Sequence, residues 1–267
     1  MKNIFLTGAS SGIGLAIAQS LAARGDNIWG TSRDPARIRL SPGMHPLRLD
    51  LADPDSITSA FESALAEAGH FDVIINNAGS GHFGPAESLS EKEIASQFQV
   101  LVFGQLQLMR LGLNAMRSRG QGLIINVTSL ASRLPVPFMA AYNSAKAALA
   151  AFTMSVQLEL PDSQIRIVDL QPGDICTDFN DALVKSEKHG PRYESALAKT
   201  WTAVEHNMKH APKPDLVARR VCDLLNQVKP PLRLTVGDTF QTKVAPLIFR
   251  ILPQRLRVWG LKKYYGI

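Results

Sequence analysis

The sequence contains little cysteine and no long hydrophobic run. Two cysteines, Cys176 and Cys222, cannot build a disulfide framework, so we expect a reducing, cytoplasmic environment. No apolar run approaches the ~20 residues that cross a bilayer. The N-terminal apolar run, residues 4–6, ends at Thr7-Gly8 and is too short for the core of a signal peptide.

Acidic residues are almost missing from one part of the chain. Residues 229–267 hold eight basic residues and one acidic residue, whereas the other 228 residues hold 21 basic and 22 acidic residues. The main body is therefore close to neutral and lacks the basic face that nucleic acid requires, so we expect no nucleic-acid partner. A hydrophobic content of 45% and a charged content of 19% also exclude intrinsic disorder.

Apolar runs alternate with segments of helical periodicity from the N-terminus onward. Continuous apolar runs are typical of strands that are covered on both faces, and their alternation with helices indicates a parallel sheet. We therefore predict a single α/β domain over residues 1–267, with a doubly wound, Rossmann-like sheet and helices on both faces. The predicted strands are residues 3–6, 27–31, 47–49, 71–75, 123–127 and 165–170.

Residues 174–214 interrupt this alternation. Within them Tyr193, Leu197, Trp201, Val204 and Met208 recur at helical spacing. We predict a small helical lid inserted over the carboxyl ends of the strands, where α/β sheets bind ligands.

A glycine-rich segment, Thr7-Gly8-Ala9-Ser10-Ser11-Gly12-Ile13-Gly14, joins the first predicted strand to the first predicted helix. Gly8 permits a tight turn, Gly12 lets the backbone approach a diphosphate, and Gly14 allows close packing of the helix. The helix N-terminus then offers free N–H groups to the anion. Many ordinary turns also use several glycines, but the position between a strand and an amphipathic helix favours dinucleotide binding.

The spacing Gly-x-x-x-Gly-x-Gly resembles the fingerprint of the short-chain dehydrogenase/reductase family, Thr-Gly-x-x-x-Gly-x-Gly. Further family motifs follow in order: Asn76-Asn77-Ala78-Gly79, Ser129, Tyr142-Asn143-Ser144-Ala145-Lys146, and Pro172-Gly173 with Thr177. The whole chain is similar to the branch of hydroxysteroid and retinol dehydrogenases. The resemblance implies hydride transfer with a nicotinamide dinucleotide and cofactor contacts through Gly8, Ser10, Ser11, Gly12, Ile13, Gly14, Asn77, Ala78, Gly79, Tyr142, Lys146, Pro172, Gly173 and Thr177.

Tyr142 and Lys146 stand four residues apart and share one helix face. A nearby ammonium lowers the pKa of a tyrosine, which is otherwise ~10, and so lets the phenol exchange a proton near neutral pH. Ser129 follows a predicted strand and is placed to hydrogen-bond the same substrate oxygen. Taken alone, such pairs are usually solvated helix faces and such serines are usually caps. The resemblance implies that Tyr142 is the acid/base, Lys146 tunes it and holds the ribose, and Ser129 orients the substrate.

One position departs from the family pattern. The family commonly has an asparagine in a segment like Asn-Val-Phe-Gly, where this chain has Leu101 before Val102-Phe103-Gly104. The family asparagine helps to hold a water in the proton relay to the lysine, and leucine forms no hydrogen bond. Either another group or water takes over, the reaction is slower, or the register differs. The alternative function is a catalytically weak dinucleotide-binding regulator or scaffold.

The end of the second predicted strand bears on cofactor choice. NAD-preferring relatives place an acid there to bind the ribose 2′-hydroxyl, whereas this chain has Ser32 and Arg33, and a guanidinium suits a 2′-phosphate. We therefore expect NADP(H) rather than NAD(H), with Asp34 pointing away into the next turn. Asp50-Leu51 resembles the adenine contact of the family, with helix capping as the alternative. No metal site is expected.

Apolar residues surround the expected substrate position, with packing under the lid as the alternative role. They favour a small apolar carbonyl/alcohol substrate. They are Phe179, Leu183, Trp201 and Met208 in the lid and Leu134, Val136, Pro137, Phe138 and Met139 after Ser129.

The C-terminal tail, residues 244–267, mixes basic and apolar residues, and Pro253 and Gly260 are expected to prevent one long helix. Four interpretations remain open: peripheral contact with an anionic membrane, closure of the substrate pocket, packing on a partner subunit, or a frayed terminus. Homo-oligomers are common in general and in the family, so we expect a dimer or tetramer.

Overall fold

Seven parallel strands form the central sheet of the computed structural model, which describes residues 1–160, 164–186 and 189–267. Their order is β3-β2-β1-β4-β6-β7-β9, while β5 and β8 form a separate two-stranded parallel pair. This confirms the predicted doubly wound fold. The strands are β1 (Asn3–Thr7), β2 (Asn27–Ser32), β3 (Met44–Arg48), β4 (Val73–Asn76), β5 (His82–Phe83), β6 (Gln121–Val127), β7 (Gln164–Pro172), β8 (Val184–Lys185) and β9 (Arg233–Val236).

Helices cover both faces of the sheet because neighbouring strand residues point to opposite sides. Ile4 and Leu6 of β1 pack in a core with Ile17 and Val221, whereas Phe5 packs on the other face. The helices are α1 (Gly12–Ala23), α2 (Pro54–Ala68), α3 (Glu91–Phe98), α4 (Gly104–Arg117), α5 (Ala140–Glu159), α6 (Glu194–His210), α7 (Asp215–Leu225), α8 (Ala245–Ile251) and α9 (Gln254–Tyr265).

Local capping signals set several boundaries where the sequence predicts them. The Asp53 carboxylate accepts a hydrogen bond from the Asp55 backbone N–H, and α2 starts at Pro54. The predicted third strand, residues 47–49, lies too far along the chain, because β3 ends at Arg48 and Leu49 turns into the core.

Strand order reverses between β1 and β4, and a crevice opens there at the carboxyl ends of the strands. Thr7 ends β1 at this crevice and Asn76 ends β4 beside it. The glycine-rich segment therefore lies at the position where doubly wound sheets bind ligands.

The lid contains α6, which covers four of the five predicted helical positions, Leu197, Trp201, Val204 and Met208, while Tyr193 ends the 3-10 turn Pro191–Tyr193 just before it. The tail forms α8 and α9, and Pro253 separates them as predicted. Gly260 lies inside α9, so the expectation that it interrupts the helix is wrong. A glycine costs a helix only about 1 kcal/mol, and this helix ends with buried Tyr265 and a left-handed cap at Gly266.

The tail is also not a frayed terminus, since α9 contacts α6. Across the described residues, no helix combines the length and the apolar character that crossing a bilayer would require.

Candidate active site

The glycine-rich loop between β1 and α1 has the backbone that the sequence predicts. Gly8 and Gly12 adopt positive φ angles of 72° and 53°. A Cβ atom on Gly14 would lie 1.9 Å from the Gly8 carbonyl oxygen. Gly14 therefore allows the first turn of α1 to approach the loop more closely than any side chain would permit.

Hydrogen bonds join this loop to the segment after β4. The Asn77 Nδ2 atom donates to the Thr7 carbonyl at 2.9 Å, and the Thr7 hydroxyl accepts from the Asn77 and Ala78 backbone N–H groups at 2.9 and 3.0 Å. The segment 76–79 thus has a structural role. Ala78 and Gly79 also line a large cavity next to the glycine-rich loop.

That cavity has a volume of about 930 Å³ and lies along the carboxyl ends of the sheet. It brings together every site residue that the sequence indicates, from segments that lie far apart in the chain. They are Gly8, Ser10, Ser11, Gly12, Ile13, Gly14, Ser32, Arg33, Asp50, Leu51, Asn77, Ala78, Gly79, Ser129, Tyr142, Lys146, Pro172, Gly173 and Thr177.

Ser129, Tyr142 and Lys146 occupy one wall of the cavity. The Lys146 side chain is 4% exposed and its Nζ atom donates to the Val127 carbonyl at 2.8 Å. The Ser129 hydroxyl accepts from the Ala131 backbone N–H at 3.1 Å, which is the capping role expected of a serine after a strand.

Burial governs the proton affinities of this wall. It raises the pKa of Tyr142 to about 12, although hydrogen bonding to Ser129 lowers it and the charge of Asp174 raises it further. Burial likewise lowers the pKa of Lys146 to about 8, against the opposing effect of Asp169. The expectation that the ammonium lowers the pKa of Tyr142 is therefore wrong for this structure. Tyr142 is a protonated phenol at neutral pH, the form that donates a proton.

Leu101 lies beside this wall, in a π-helical turn, Gln99–Phe103, that joins α3 to α4. Its side chain is fully buried and packs in a cluster with Ala145 and Tyr142. A Cβ on Gly79 would lie 3.0 Å from the Leu101 Cδ2 atom. Leucine therefore fills apolar space next to the candidate catalytic residues.

Two buried glutamines lie four residues before and after Leu101, and sequence reasoning missed both. Gln97 donates to the Ser80 carbonyl at 2.8 Å and Gln105 donates to the Ala78 carbonyl at 2.6 Å. In the part of the chain that the structure describes, no donor reaches either Oε1 atom. Residues four apart on a helix are neighbours on one face, so the positions of these glutamines four residues before and after Leu101 are the sequence signal that would have indicated them.

The comparisons with known proteins agree with this architecture. Residues 2–188 match the family model described as short chain dehydrogenase. This chain belongs to the short-chain dehydrogenase family. A 3-ketodihydrosphingosine reductase of Bacteroides thetaiotaomicron is 30% identical over 270 residues, which cover 99% of this chain and 98% of that protein.

Solved structures of short-chain dehydrogenases show the same fold. A short-chain dehydrogenase from Streptomyces avermitilis has a TM-score of 0.83 at 28% identity, covering 98% of this chain and 96% of the other. An alcohol dehydrogenase from Thermococcus sibiricus, complexed with 5-hydroxy-NADP, has a TM-score of 0.73 at 26% identity, with 90% and 97% coverage. The comparisons do not single out the hydroxysteroid and retinol branch.

At the β2 end of the cavity, two arginines of this short-chain dehydrogenase face the open space. Arg33 and Arg37 are both exposed, both line the cavity, and neither forms an ion pair within the described ranges. The Asp34 carboxylate accepts from the Ala36 backbone N–H at 3.1 Å, so it caps the following turn. The sequence analysis missed Arg37, whose signal is its position four residues after Arg33.

Asp50 and Thr177 line the cavity and also order their own turns. The Asp50 carboxylate accepts from the Ala52 N–H at 2.9 Å, and the Thr177 hydroxyl accepts from the Phe179 N–H at 3.3 Å. Asp50 does not cap α2, because Asp53 does so. Thr177 lies opposite the glycine loop, 3.5 Å from the position of a Cβ on Gly12.

The apolar residues around the expected substrate position divide into two groups. Leu134, Val136, Met139, Phe179 and Met208 line the cavity. Phe138, Leu183 and Trp201 instead pack with Phe83 beneath the lid, and Pro137 lies outside the cavity wall. The tail supplies a further apolar wall that the sequence left undecided, through Ile248, Phe249, Leu252, Leu256 and Leu261.

Proposed function

We propose that this short-chain dehydrogenase transfers a hydride between NADP(H) and an apolar carbonyl/alcohol pair, and that it acts as a ketone reductase. The observation that carries the proposal is the convergence of Ser129, Tyr142 and Lys146 on the cavity that also contains the glycine loop. The name of the Bacteroides relative, a 3-ketodihydrosphingosine reductase, supports reduction of a ketone.

The cavity fits a dinucleotide. The positive φ angles of Gly8 and Gly12 and the absent side chain of Gly14 form a cradle that a Cβ atom would fill. The N-terminal N–H groups of α1 would hold the diphosphate, and Arg33 and Arg37 would hold a 2′-phosphate. When bound, the nicotinamide supplies or accepts the hydride.

The candidate catalytic residues supply the proton and position the oxygen. Ser129 would hold the substrate oxygen by a hydrogen bond, and Tyr142 would donate the phenolic proton to it as the carbonyl is reduced. Lys146 would hold the ribose and stabilise the phenolate that Tyr142 leaves behind. The regulator or scaffold alternative is not favoured, because relatives at 30% identity are named as a reductase and an oxidoreductase.

The test follows NADPH absorbance with purified protein and a panel of apolar ketones, aldehydes and steroids, with NADH in parallel. We expect oxidation of NADPH that depends on a carbonyl substrate and exceeds that of NADH. Binding of neither dinucleotide would contradict the proposal.

Replacement of Arg33 with alanine should raise the Kd for NADPH by about 10–100-fold, the loss expected for a charge-assisted hydrogen bond to phosphate. The Kd for NADH should stay the same, because NADH lacks the phosphate. Fluorescence titration of both cofactors measures the two values. The control is Arg39→Ala, which removes a neighbouring exposed arginine outside the cavity. An equal loss for both cofactors would contradict the assignment of Arg33.

We further propose a homo-oligomer and a peripheral contact between the tail and an anionic membrane. Exposed apolar side chains stand beside basic ones there, with Leu247 63%, Ile251 74% and Trp259 61% exposed. Residues 244–267 contain five basic and no acidic residues, which matches anionic lipid headgroups. The same helices line the cavity with their other faces, so an apolar substrate would enter at the membrane.

A triple variant, Leu247→Ser/Ile251→Ser/Trp259→Ser, should lose sedimentation with phosphatidylglycerol vesicles, which the wild type should retain. These residues do not line the cavity, so turnover of a water-soluble ketone should persist. Phosphatidylcholine vesicles serve as the uncharged control. If the triple variant forms a smaller oligomer than the wild type and still binds the vesicles, this surface is a contact between subunits and not a membrane contact.

A further inference from the structure

A buried carboxylate lies behind the wall that carries the candidate catalytic residues, and the proposed reaction does not use it. Asp169 stands on β7, opposite Asn126 of β6 and Arg233 of β9, and it is 2% exposed. A buried charge is costly unless hydrogen-bond donors surround it, so its partners show what this carboxylate holds in place.

Asp169 accepts hydrogen bonds from side chains of separate segments. The Thr128 hydroxyl donates to one carboxylate oxygen at 2.5 Å, and Gln171 Nε2 and Arg233 Nε both donate to the other oxygen at 2.8 Å. Thr128 and Gln171 are buried, whereas Arg233 reaches in from the edge strand. Both oxygens have donors and the charge has a counterion, so the carboxylate is held in one orientation.

Thr128 connects this carboxylate to the candidate catalytic residues. Its backbone N–H donates to the Leu170 carbonyl at 2.8 Å, and the carbonyl of the same peptide group, that of Val127, accepts from Lys146 Nζ at 2.8 Å. A peptide group is planar, so a bond that fixes its N–H also fixes the direction of its C=O. Ser129 is the next residue along the chain. The acceptor for Lys146 and the backbone of Ser129 therefore both depend on how Thr128 is held.

A second chain of hydrogen bonds reaches the other side of Ser129. The Gln171 Nε2 atom also donates to the Ser132 hydroxyl at 3.4 Å, and the Ser132 hydroxyl donates to the Ser129 carbonyl at 2.7 Å. The network around Asp169 therefore holds the turn both before and after Ser129. Burial lowers the pKa of Lys146, and the charge of Asp169 opposes that shift, so the carboxylate also acts on the ammonium.

We infer that Asp169 is a positioning residue, which acts through Thr128 to fix the backbone that carries Ser129 and holds Lys146. The inference rests on the proposed function. Asp169 does not line the cavity, so it acts on the reaction only through the residues that do. Because a misplacement of about 1 Å can lower a rate about a hundredfold, a rigid support for this backbone should be visible in kcat.

The experiment compares Thr128→Val, which keeps the shape of the side chain and loses its hydroxyl, with Thr128→Ser, which keeps the hydroxyl. Reduction of an apolar ketone is measured at saturating NADPH, so that kcat is separated from KM. We expect kcat to fall about 10–100-fold in Thr128→Val and to recover to within about threefold of the wild type in Thr128→Ser. The Kd for NADPH should change less than about tenfold in both, because the glycine loop and Arg33 are intact.

Asp169→Asn tests the carboxylate itself. Asparagine has the same size, but its NH₂ group cannot accept the hydrogen bonds that one carboxylate oxygen now accepts. We expect kcat to fall at least as far as in Thr128→Val. The double variant should be no slower than Asp169→Asn alone, because both changes break the same connection. Additive losses would show that the two residues act independently and would overturn the inference.

Asp26→Asn is the matched control. Asp26 is also 2% exposed and pairs with an arginine, Arg24 at 3.1 Å, but it lies directly before β2, at the amino ends of the strands and away from the cavity. This variant should lose stability in denaturant unfolding and keep its kcat under conditions where every variant is folded.

The inference would be overturned by full kcat in Thr128→Val, by a Thr128→Ser enzyme as slow as Thr128→Val, or by an equal fall of kcat in Asp26→Asn. Each of these results leaves the proposed function standing, since the wild type still reduces the ketone. A wild type that binds NADPH and reduces no ketone would count against the proposed function itself, and the inference falls with it.

Discussion

Replacement of Tyr142 with phenylalanine is expected to lower carbonyl reduction by about 10²–10⁴-fold, the usual contribution of a positioned proton donor. The phenyl ring keeps its packing against Phe179, whose ring centroid lies 5.6 Å away, so only the hydroxyl is lost. NADPH binding, followed by fluorescence, should therefore stay near the wild-type value. The rate is measured at saturating ketone so that kcat is separated from KM.

Tyr193→Phe is the matched control for this variant. The Tyr193 hydroxyl donates to Glu87 at 3.0 Å on the outside of the lid, and the residue does not line the cavity. Its removal should leave reduction within about twofold of the wild type, since exposed hydrogen bonds contribute little. Full activity of Tyr142→Phe would remove Tyr142 from the mechanism and require another proton donor.

The direction of the pKa shift gives this first prediction a pH signature. Because burial raises the pKa of Tyr142 to about 12, the protonated phenol dominates throughout the neutral range. Reduction uses that form and should change little with pH there, whereas alcohol oxidation needs the phenolate and should accelerate as pH rises. Rates in both directions between about pH 6 and 9 would show this, and oxidation that slows with rising pH would contradict it.

The second large effect is expected for Gly14→Ala. The added Cβ would lie 1.9 Å from the Gly8 carbonyl oxygen and 2.5 Å from the Asn77 Nδ2 atom. The first of these is backbone in the turn that ends β1, so it cannot move without displacing the cofactor cradle. We expect the free energy of unfolding to fall by about 3 kcal/mol or more, at the upper end of the overpacking range. NADPH binding should weaken at least about tenfold, since 1.4 kcal/mol is a factor of ten.

Gly260→Ala separates this steric effect from a general effect of glycine. Gly260 lies inside α9, and a Cβ atom added to it would meet no atom of the described residues within 4 Å. Alanine there should stabilise the protein by up to about 1 kcal/mol because it favours the helix. Denaturant unfolding measures both variants side by side. A Gly14→Ala protein as stable as the wild type would show that the loop adapts to a side chain.

Signals within a few residues of the chain were enough to predict much of the fold and of the cavity. Asp53-Pro54 predicts the start of α2, and the apolar runs predict most strands, because strands covered on both faces need apolar residues on both faces. The glycine spacing predicts the backbone of the loop, since only glycine accepts the conformation of Gly8 and the contact at Gly14. These features depend on neighbouring residues alone.

Other features depend on how distant segments pack, and local signals were misleading or silent there. Gly260 suggested that the C-terminal helix would be interrupted there. Glycine inside a helix costs about 1 kcal/mol, and the packing of α9 against α6 outweighs that cost. The Tyr142–Lys146 spacing suggested a lowered tyrosine pKa, but burial in the folded protein raises the pKa of Tyr142.

The sequence by itself determined the parallel sheet and the backbone of the glycine-rich loop, and it indicated the candidate proton donor. Only the tertiary structure decided that the basic tail lines the cavity and that Gln241 meets Asp174 across 67 residues of chain. The physical reason is that backbone conformation and helix periodicity are local properties. The partner of a buried charge is instead set by the path of the whole chain, and no short stretch of sequence contains both sides of the contact.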